Sequence, residues 1–187
     1  MTDETTQELT DFFEYIWHDT EGFVYLPIKQ ADGSPQGHWT TYSFSWPRQK
    51  AGVVRHALKW AADETIDVYY APAIFSAARP LKENVLGSWV LWVDFDGNAP
   101  ESWSSIDKSL SIPEPSLIVQ SSIQGHEHCY WQLDTFLDDR FKLEEMNRSL
   151  AYVLHADTSG WDADQILRPI HTMNRKRDMP VVVKSWQ

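Results

Sequence analysis

The chain has 187 residues, 42% of them apolar, 13% aromatic and 23% charged, which is too apolar for a disordered chain and long enough for one domain with its own core. Apolar runs such as Trp89–Val93 fall far short of a membrane span, the acidic start Met1-Thr-Asp-Glu predicts no secretory signal, and the single cysteine, Cys129, excludes an internal disulfide, so a reducing, cytoplasmic setting is expected. A net charge of −11 argues against a nucleic-acid partner, whose phosphates it would repel, but only if that charge is evenly spread.

Thr5-Thr6-Gln7-Glu8 reads as a capping box opening a helix to about His18, with Leu9, Phe12, Phe13 and Ile16 at helical spacing. Phe23–Ile28 predicts a strand, Asp32-Gly33-Ser34-Pro35 the turn after it, and His38–Trp46 a second strand with Tyr42, Phe44 and Trp46 on one face. Pro47 starts a helical stretch through Ala62, Asp67–Ala71 is a short strand, and Pro80–Gly87 is a polar loop. Ser88–Asp96 is the most strand-like part of the chain and ends at the turn signal Gly97-Asn98. Ser116–Ser121 and His126–Asp134 predict a hairpin around Ile123-Gln124-Gly125. Asp138–His155 reads as a helix with Phe141, Met146, Leu150, Val153 and Leu154 inward, and Pro180–Lys184 as a last strand. This order makes the class α/β or α+β, in one continuous domain over residues 1–187.

The charge is uneven. Residues 1–15 hold Asp3, Glu4, Glu8, Asp11 and Glu14 with no base, whereas residues 165–187 hold Arg168, Arg175, Lys176, Arg177 and Lys184 against Asp178. A terminal basic run is ordinarily a solvated face.

Three segments carry chemistry. Asp94 and Asp96 close an apolar strand two residues apart, so both carboxylates project to one side while Leu91, Val93 and Phe95 fill the other. Paired carboxylates suit a hard divalent ion that also binds substrate phosphates. In Ser121-Ser122-Ile123-Gln124-Gly125-His126-Glu127-His128, His128 shares a strand face with Tyr130 and Gln132, and His126 stands just outside it. Such a histidine can meet a phosphate, a metal or a proton near neutral pH. Asp157 and Asp162 then precede Arg168, Asn174, Arg175 and Lys176, an acid beside phosphate-binding cations. Together they describe a site for a metal–triphosphate complex.

Val93-Asp94-Phe95-Asp96-Gly97, then His128-Cys129-Tyr130-Trp131, then Ala156-Asp157 with Leu167-Arg168 and Thr172-Met173-Asn174-Arg175-Lys176, resembles the archaeo-eukaryotic primase superfamily, and within it the phage and plasmid primase-polymerases. The resemblance covers roughly residues 11 to 184. It implies an N-terminal α/β module over about 1–85, packed against a mostly antiparallel module like the RNA-recognition fold over 86–187, with the active site in the cleft between. It further implies a template-dependent nucleotidyl transferase with Asp94, Asp96 and Asp157 holding two Mg²⁺ or Mn²⁺ ions, His128 on the incoming nucleotide, and no structural zinc. Ser122, His126, Arg168, Asn174 and Lys176 match nucleotide- or template-binding positions, and Asp162 is the alternative third acid. The implied partners are a single-stranded DNA template and dNTP or NTP, with a helicase or accessory priming domain besides and no membrane, in a bacterial host's cytoplasm. The chain departs from the family pattern at Arg168-Pro169-Ile170-His171-Thr172, where relatives read Arg-Leu-Pro-Gly-Thr, and Ser122 sits one residue further from His128 than usual.

Two other classes compete. A replication-initiation nickase would use His126-Glu127-His128 with a helical tyrosine such as Tyr152, and leaves Asp94 and Asp96 unexplained. A non-catalytic module would hold single-stranded DNA on aromatic residues and the basic tail.

Overall fold

The computed structural model describes residues 2–30, 37–106 and 110–187, and the turn expected at Asp32-Gly33-Ser34-Pro35 lies outside them. The first half runs α1 (Asp3–Trp17), β1 (Gly22–Gln30), β2 (Trp39–Trp46), α2 (Lys50–Ala61), β3 (Ile66–Val68) and β4 (Ile74–Phe75). The second runs β5 (Val85–Asp96), β6 (Leu117–Gln120), β7 (His126–Leu137), α3 (Arg140–Val153), β8 (Met173–Asn174), β9 (Met179–Pro180) and β10 (Val182–Trp186). Eight strands form one sheet in the order β10-β6-β7-β5-β4-β1-β2 with β3 on β1, every pairing antiparallel, and β8–β9 form a separate hairpin. The sheet narrows at two-residue β4, which joins the β3-β1-β2 part to the β10-β6-β7-β5 part.

Leu9, Phe12, Phe13, Ile16 and Trp17 recur at the helical period and are all buried, so α1 docks an aromatic face on the sheet, where Phe12, Phe13 and Trp17 meet Tyr70. The helix starts earlier than the capping box predicts. Thr2 is the cap, its Oγ1 accepting from the Thr5 amide, and Asp3 and Glu4 put negative charge at the helix's positive end. α2 likewise begins at Lys50, a turn after Pro47, and the expected loop at 80–87 holds a 3₁₀ turn (Lys82–Asn84) and the start of β5.

α3 differs most from expectation. Asp139 caps it by accepting from the Phe141 and Lys142 amides, and its inward side is Leu143, Asn147 and Ala151. Phe141 is 71% exposed and Val153 42% exposed. The polar Asn147 holds the centre of the buried stripe because its side-chain carbonyl accepts from the Trp92 amide of β5 at 3.0 Å, a bond no apolar count would reveal.

Candidate active site

β5 and β7 pair so that Asp94 stands opposite His128 and Asp96 opposite His126. Partners directly across a ladder share a face, so two acids and two imidazoles project together, while Phe95 and Glu127 take the other side. His126 Nδ1 lies 2.8 Å from Asp96 Oδ1, and His128 Nε2 lies 3.7 Å from Asp94 Oδ1. The end of the ladder closes on two glycines. The Gly97 amide donates to the Gly125 carbonyl at 3.0 Å, and at φ 84° a Cβ on residue 125 would sit 2.8 Å from the Gly97 carbonyl oxygen.

β4 pairs only with the first residues of β5, so beyond them that edge of β5 has no strand beside it. An exposed backbone edge must find other partners. Ser88 Oγ donates to the Val90 carbonyl, Asn147 accepts from Trp92, and the Asp157 amide donates to the Asp94 carbonyl at 2.8 Å. One acid thus hangs from the backbone of another. The Asp157 carboxylate accepts from the amide and hydroxyl of Ser159, both at 2.8 Å, and the Trp92 indole holds the same loop through the Gly160 carbonyl at 3.1 Å. Asp162 goes elsewhere, 2.5 Å from Lys82 Nζ, which also lies 3.2 Å from Glu144.

Burial, and then the charges of Asp157 and Asp96, push the Asp94 carboxyl up to about 7, against a smaller opposing pull from Arg168. His128 moves the other way: burial first and the Arg168 charge second bring it down to about 3, so its ring is neutral at physiological pH. His128 Nδ1, Ser122 Oγ and Asn174 Oδ1 are buried without a hydrogen-bond partner, although Asn174 Nδ2 donates to the Ser121 carbonyl at 3.2 Å. Buried polar atoms are rarely left so; among the described residues Tyr15, His56, Glu127 and Asn147 also carry one each.

Among the described residues no three His, Cys, Asp or Glu side chains are grouped to hold a metal ion. The donor chemistry of Asp94, Asp96 and Asp157 still fits Mg²⁺ or Mn²⁺, because such ions take carboxylate oxygens one or two at a time and complete their shell with water and phosphate. The raised Asp94 carboxyl reflects burial first and then repulsion from Asp157 and Asp96, which the more weakly acting Arg168 does not cancel.

The basic tail is a solvated face only in part. Arg168 Nη2 lies 3.2 Å from Asp67 Oδ1 and donates to the Tyr69 hydroxyl at 2.6 Å, with its guanidinium carbon 4.6 Å from the Tyr69 ring centre. Asp67, only 5% exposed, also accepts from the Arg175 amide at 3.0 Å. The Arg175 side chain donates to the Ala61 and Asp63 carbonyls at the end of α2, and Lys184 lies 2.5 Å from the buried Glu127. Lys176 and Arg177 stand exposed in the β8–β9 turn. Asp67 and Tyr69 lie within the stretch that resembles the primase family but are given no role by it, yet a lone acid between Ile66 and Val68 in a short apolar strand signals a buried charge that needs a partner. Tyr152, the nucleophile a nickase would need, opens on a groove lined by Phe141, Arg148 and Trp161 in which neither histidine takes part.

No protein-family model and no curated protein matches the sequence. Solved structures do. The catalytic domain of primase RepB′ in complex with initiator DNA superposes with a TM-score of 0.68 at 18% identity, over 98% of this chain and 86% of that one. The AEP domain of the cyanophage S-2L primase-polymerase superposes with a TM-score of 0.69 at 9% identity, over 97% and 90%. The chain has the fold of an archaeo-eukaryotic primase catalytic domain. A second primase RepB′ structure matches at 18% identity and a TM-score of 0.68 over 97% of this chain, which spans 56% of that longer protein. The fold agrees with the α+β class and mostly antiparallel sheet expected from sequence. No described helix is long and apolar enough to cross a membrane.

Proposed function

We propose that the chain is a template-dependent nucleotidyl transferase, a DNA primase or primase-polymerase core that joins dNTP or NTP to a 3′-hydroxyl. The observation that carries this reading is the register of Asp94 and Asp96 against His128 and His126, with Asp157 suspended from the Asp94 carbonyl, on a fold shared with primase catalytic domains. Asp94, Asp96 and Asp157 would hold the metal. When bound, divalent ions supply the lowered hydroxyl pKa and the charge neutralisation that in-line phosphoryl displacement needs. The chain's own residues do the rest. Neutral His128 stands across the ladder from Asp94 with Nε2 3.7 Å from its carboxylate, where a nucleotide phosphate would come, and Ser122 Oγ and Asn174 Oδ1 are buried with no hydrogen-bond partner. Arg168, fixed by Asp67 and Tyr69, sets positive charge beside both Asp94 and His128, where triphosphate charge would accumulate.

The test is extension of a labelled DNA primer on a single-stranded template with dNTPs and Mg²⁺ or Mn²⁺. Extension by the wild type that drops to background in Asp94→Ala/Asp96→Ala is the expected result. A folded wild-type protein that extends nothing with either metal refutes it.

A further inference from the structure

β2, β1 and β3 lie side by side in a register that sets Trp39, Lys29 and Asp67 in one row across the sheet. Residues in such a row share a face. Along that face two neighbouring rings lie between two cations. Lys29 Nζ stands 5.5 Å from the Trp39 ring centre, the Trp39 and Tyr69 rings are 5.1 Å apart, and Arg168 covers Tyr69 at 4.6 Å. One end of this ladder is open, since Trp39 is 46% exposed, the most of any described tryptophan. The other end is the site itself, where Arg168 acts on Asp94 and His128. The β8–β9 hairpin lies against the same row through the Arg175 amide on Asp67, and its turn carries exposed Lys176 and Arg177. A chain of net charge −11 therefore gathers bases and aromatic rings along one line.

We infer that this ladder is a track for single-stranded DNA leading into the acid site, with an unpaired base stacked on Trp39 and a neighbouring phosphate on Lys29. Rings flanked by cations suit a single strand, because every base has a face to stack and every linkage a charge to meet. A duplex, whose bases are already stacked on each other, gains only the electrostatic part. The inference rests on the nucleotidyl-transfer reading for its choice of polynucleotide, but its binding test needs no catalysis.

The experiment is anisotropy titration of a labelled oligo-dT of about 16 nucleotides, within the usual site size, over a range of salt without nucleotide or metal. Trp39→Ala should weaken binding by about 5- to 150-fold, the loss expected for one stacked base, while Trp39→Phe keeps most of the affinity. Lys29→Met should reduce the slope of log affinity against log salt by about 0.7, the value for one single-strand phosphate contact. A matching duplex should respond little to Trp39→Ala. Equal binding by wild type and Trp39→Ala, no binding by the wild type, or the same loss on duplex each overturns the track. Its failure is separable from that of the catalytic reading: Trp39-dependent binding without primer extension would leave the track standing alone, and extension with Trp39-independent binding would remove only the track.

Discussion

Replacing Asp94 by asparagine is expected to make the protein more stable at neutral and alkaline pH and to change nothing near pH 4. In the folded chain the Asp94 carboxyl sits at about 7, raised by burial and by Asp157 and Asp96, against about 3.9 in an unfolded chain. Between those values the folded state keeps a proton that the unfolded state has released. Native stability therefore falls as pH rises through this window and stays reduced above it. At 1.36 kcal/mol per pH unit the full loss is on the order of 4 kcal/mol, which corresponds to about 8–16 °C in a domain of this size. His128 has the opposite sign: its ring, held down to about 3, takes up a proton later than the unfolded histidine at about 6.5. Its contribution is complete above that value and is lost as pH falls toward 3. From about pH 4 to 6.5 the two slopes cancel in the wild type. Asp94→Asn removes one slope and exposes the other, so over that range the variant should gain about 1.4 kcal/mol per pH unit relative to the wild type. Denaturant unfolding of both proteins in EDTA, from mildly acidic to alkaline pH, reads the difference directly. Added Mn²⁺ should then raise the wild-type melting temperature at alkaline pH and leave the variant nearly unmoved. An Asp94→Asn protein no more stable than wild type in alkaline EDTA would refute the claim that a buried, destabilised acid is kept here.

Two further outcomes test the surroundings of the site. Arg168→Ala leaves the buried Asp67 carboxylate with the Arg175 amide but no cation, and should cost about 3 kcal/mol or more in urea unfolding. It also removes the charge that lowers Asp94, so in that background the gain from Asp94→Asn should be larger and should level off at a higher pH, with its onset unchanged. Asp157→Asn should abolish primer extension while Asp162→Asn retains it, since Asp162 is engaged by Lys82 and Asp157 by the Asp94 backbone; the reverse order would reassign the third acid.

What the sequence disclosed follows the length of each periodic signal. The twelve-residue strands β5 and β7 and the five-residue buried stripe of α1 are long enough for their periods to show. Two-residue β4 carries no period, and it is the piece that joins the two wide parts of the sheet. In α3 the apolar count picked Phe141 and Val153 for the core, yet the stripe turned toward Asn147, because the bare edge of β5 needed an acceptor for the Trp92 amide. The site shows the same division. That Asp94 and Asp96 share a face is arithmetic on a strand. That His128 and His126 stand opposite them depends on a register fixed by the Gly97–Gly125 closure, which spacing along the chain cannot state. The role of Asp157 was legible only as a motif position, while the hydrogen bond that delivers it belongs to the unpaired edge of β5.

Acids within the site differ from acids outside it. Asp67 faces Arg168, Glu127 faces Lys184, and Asp162 faces Lys82, each with a cation in direct contact. The fold is thus able to neutralise a buried or half-buried carboxylate, and does so on both sides of the site. Asp94 receives no such partner. It is left near two other carboxylates and a histidine whose own burial keeps it neutral. Burying charge without a partner costs stability that better pairing would recover. Concentrating that cost in one place, where strand register and an edge hydrogen bond actively hold the acids together, is how a protein keeps a site ready for a positively charged ligand. A cation that arrives with a polyphosphate would neutralise the acids that the fold leaves without a partner.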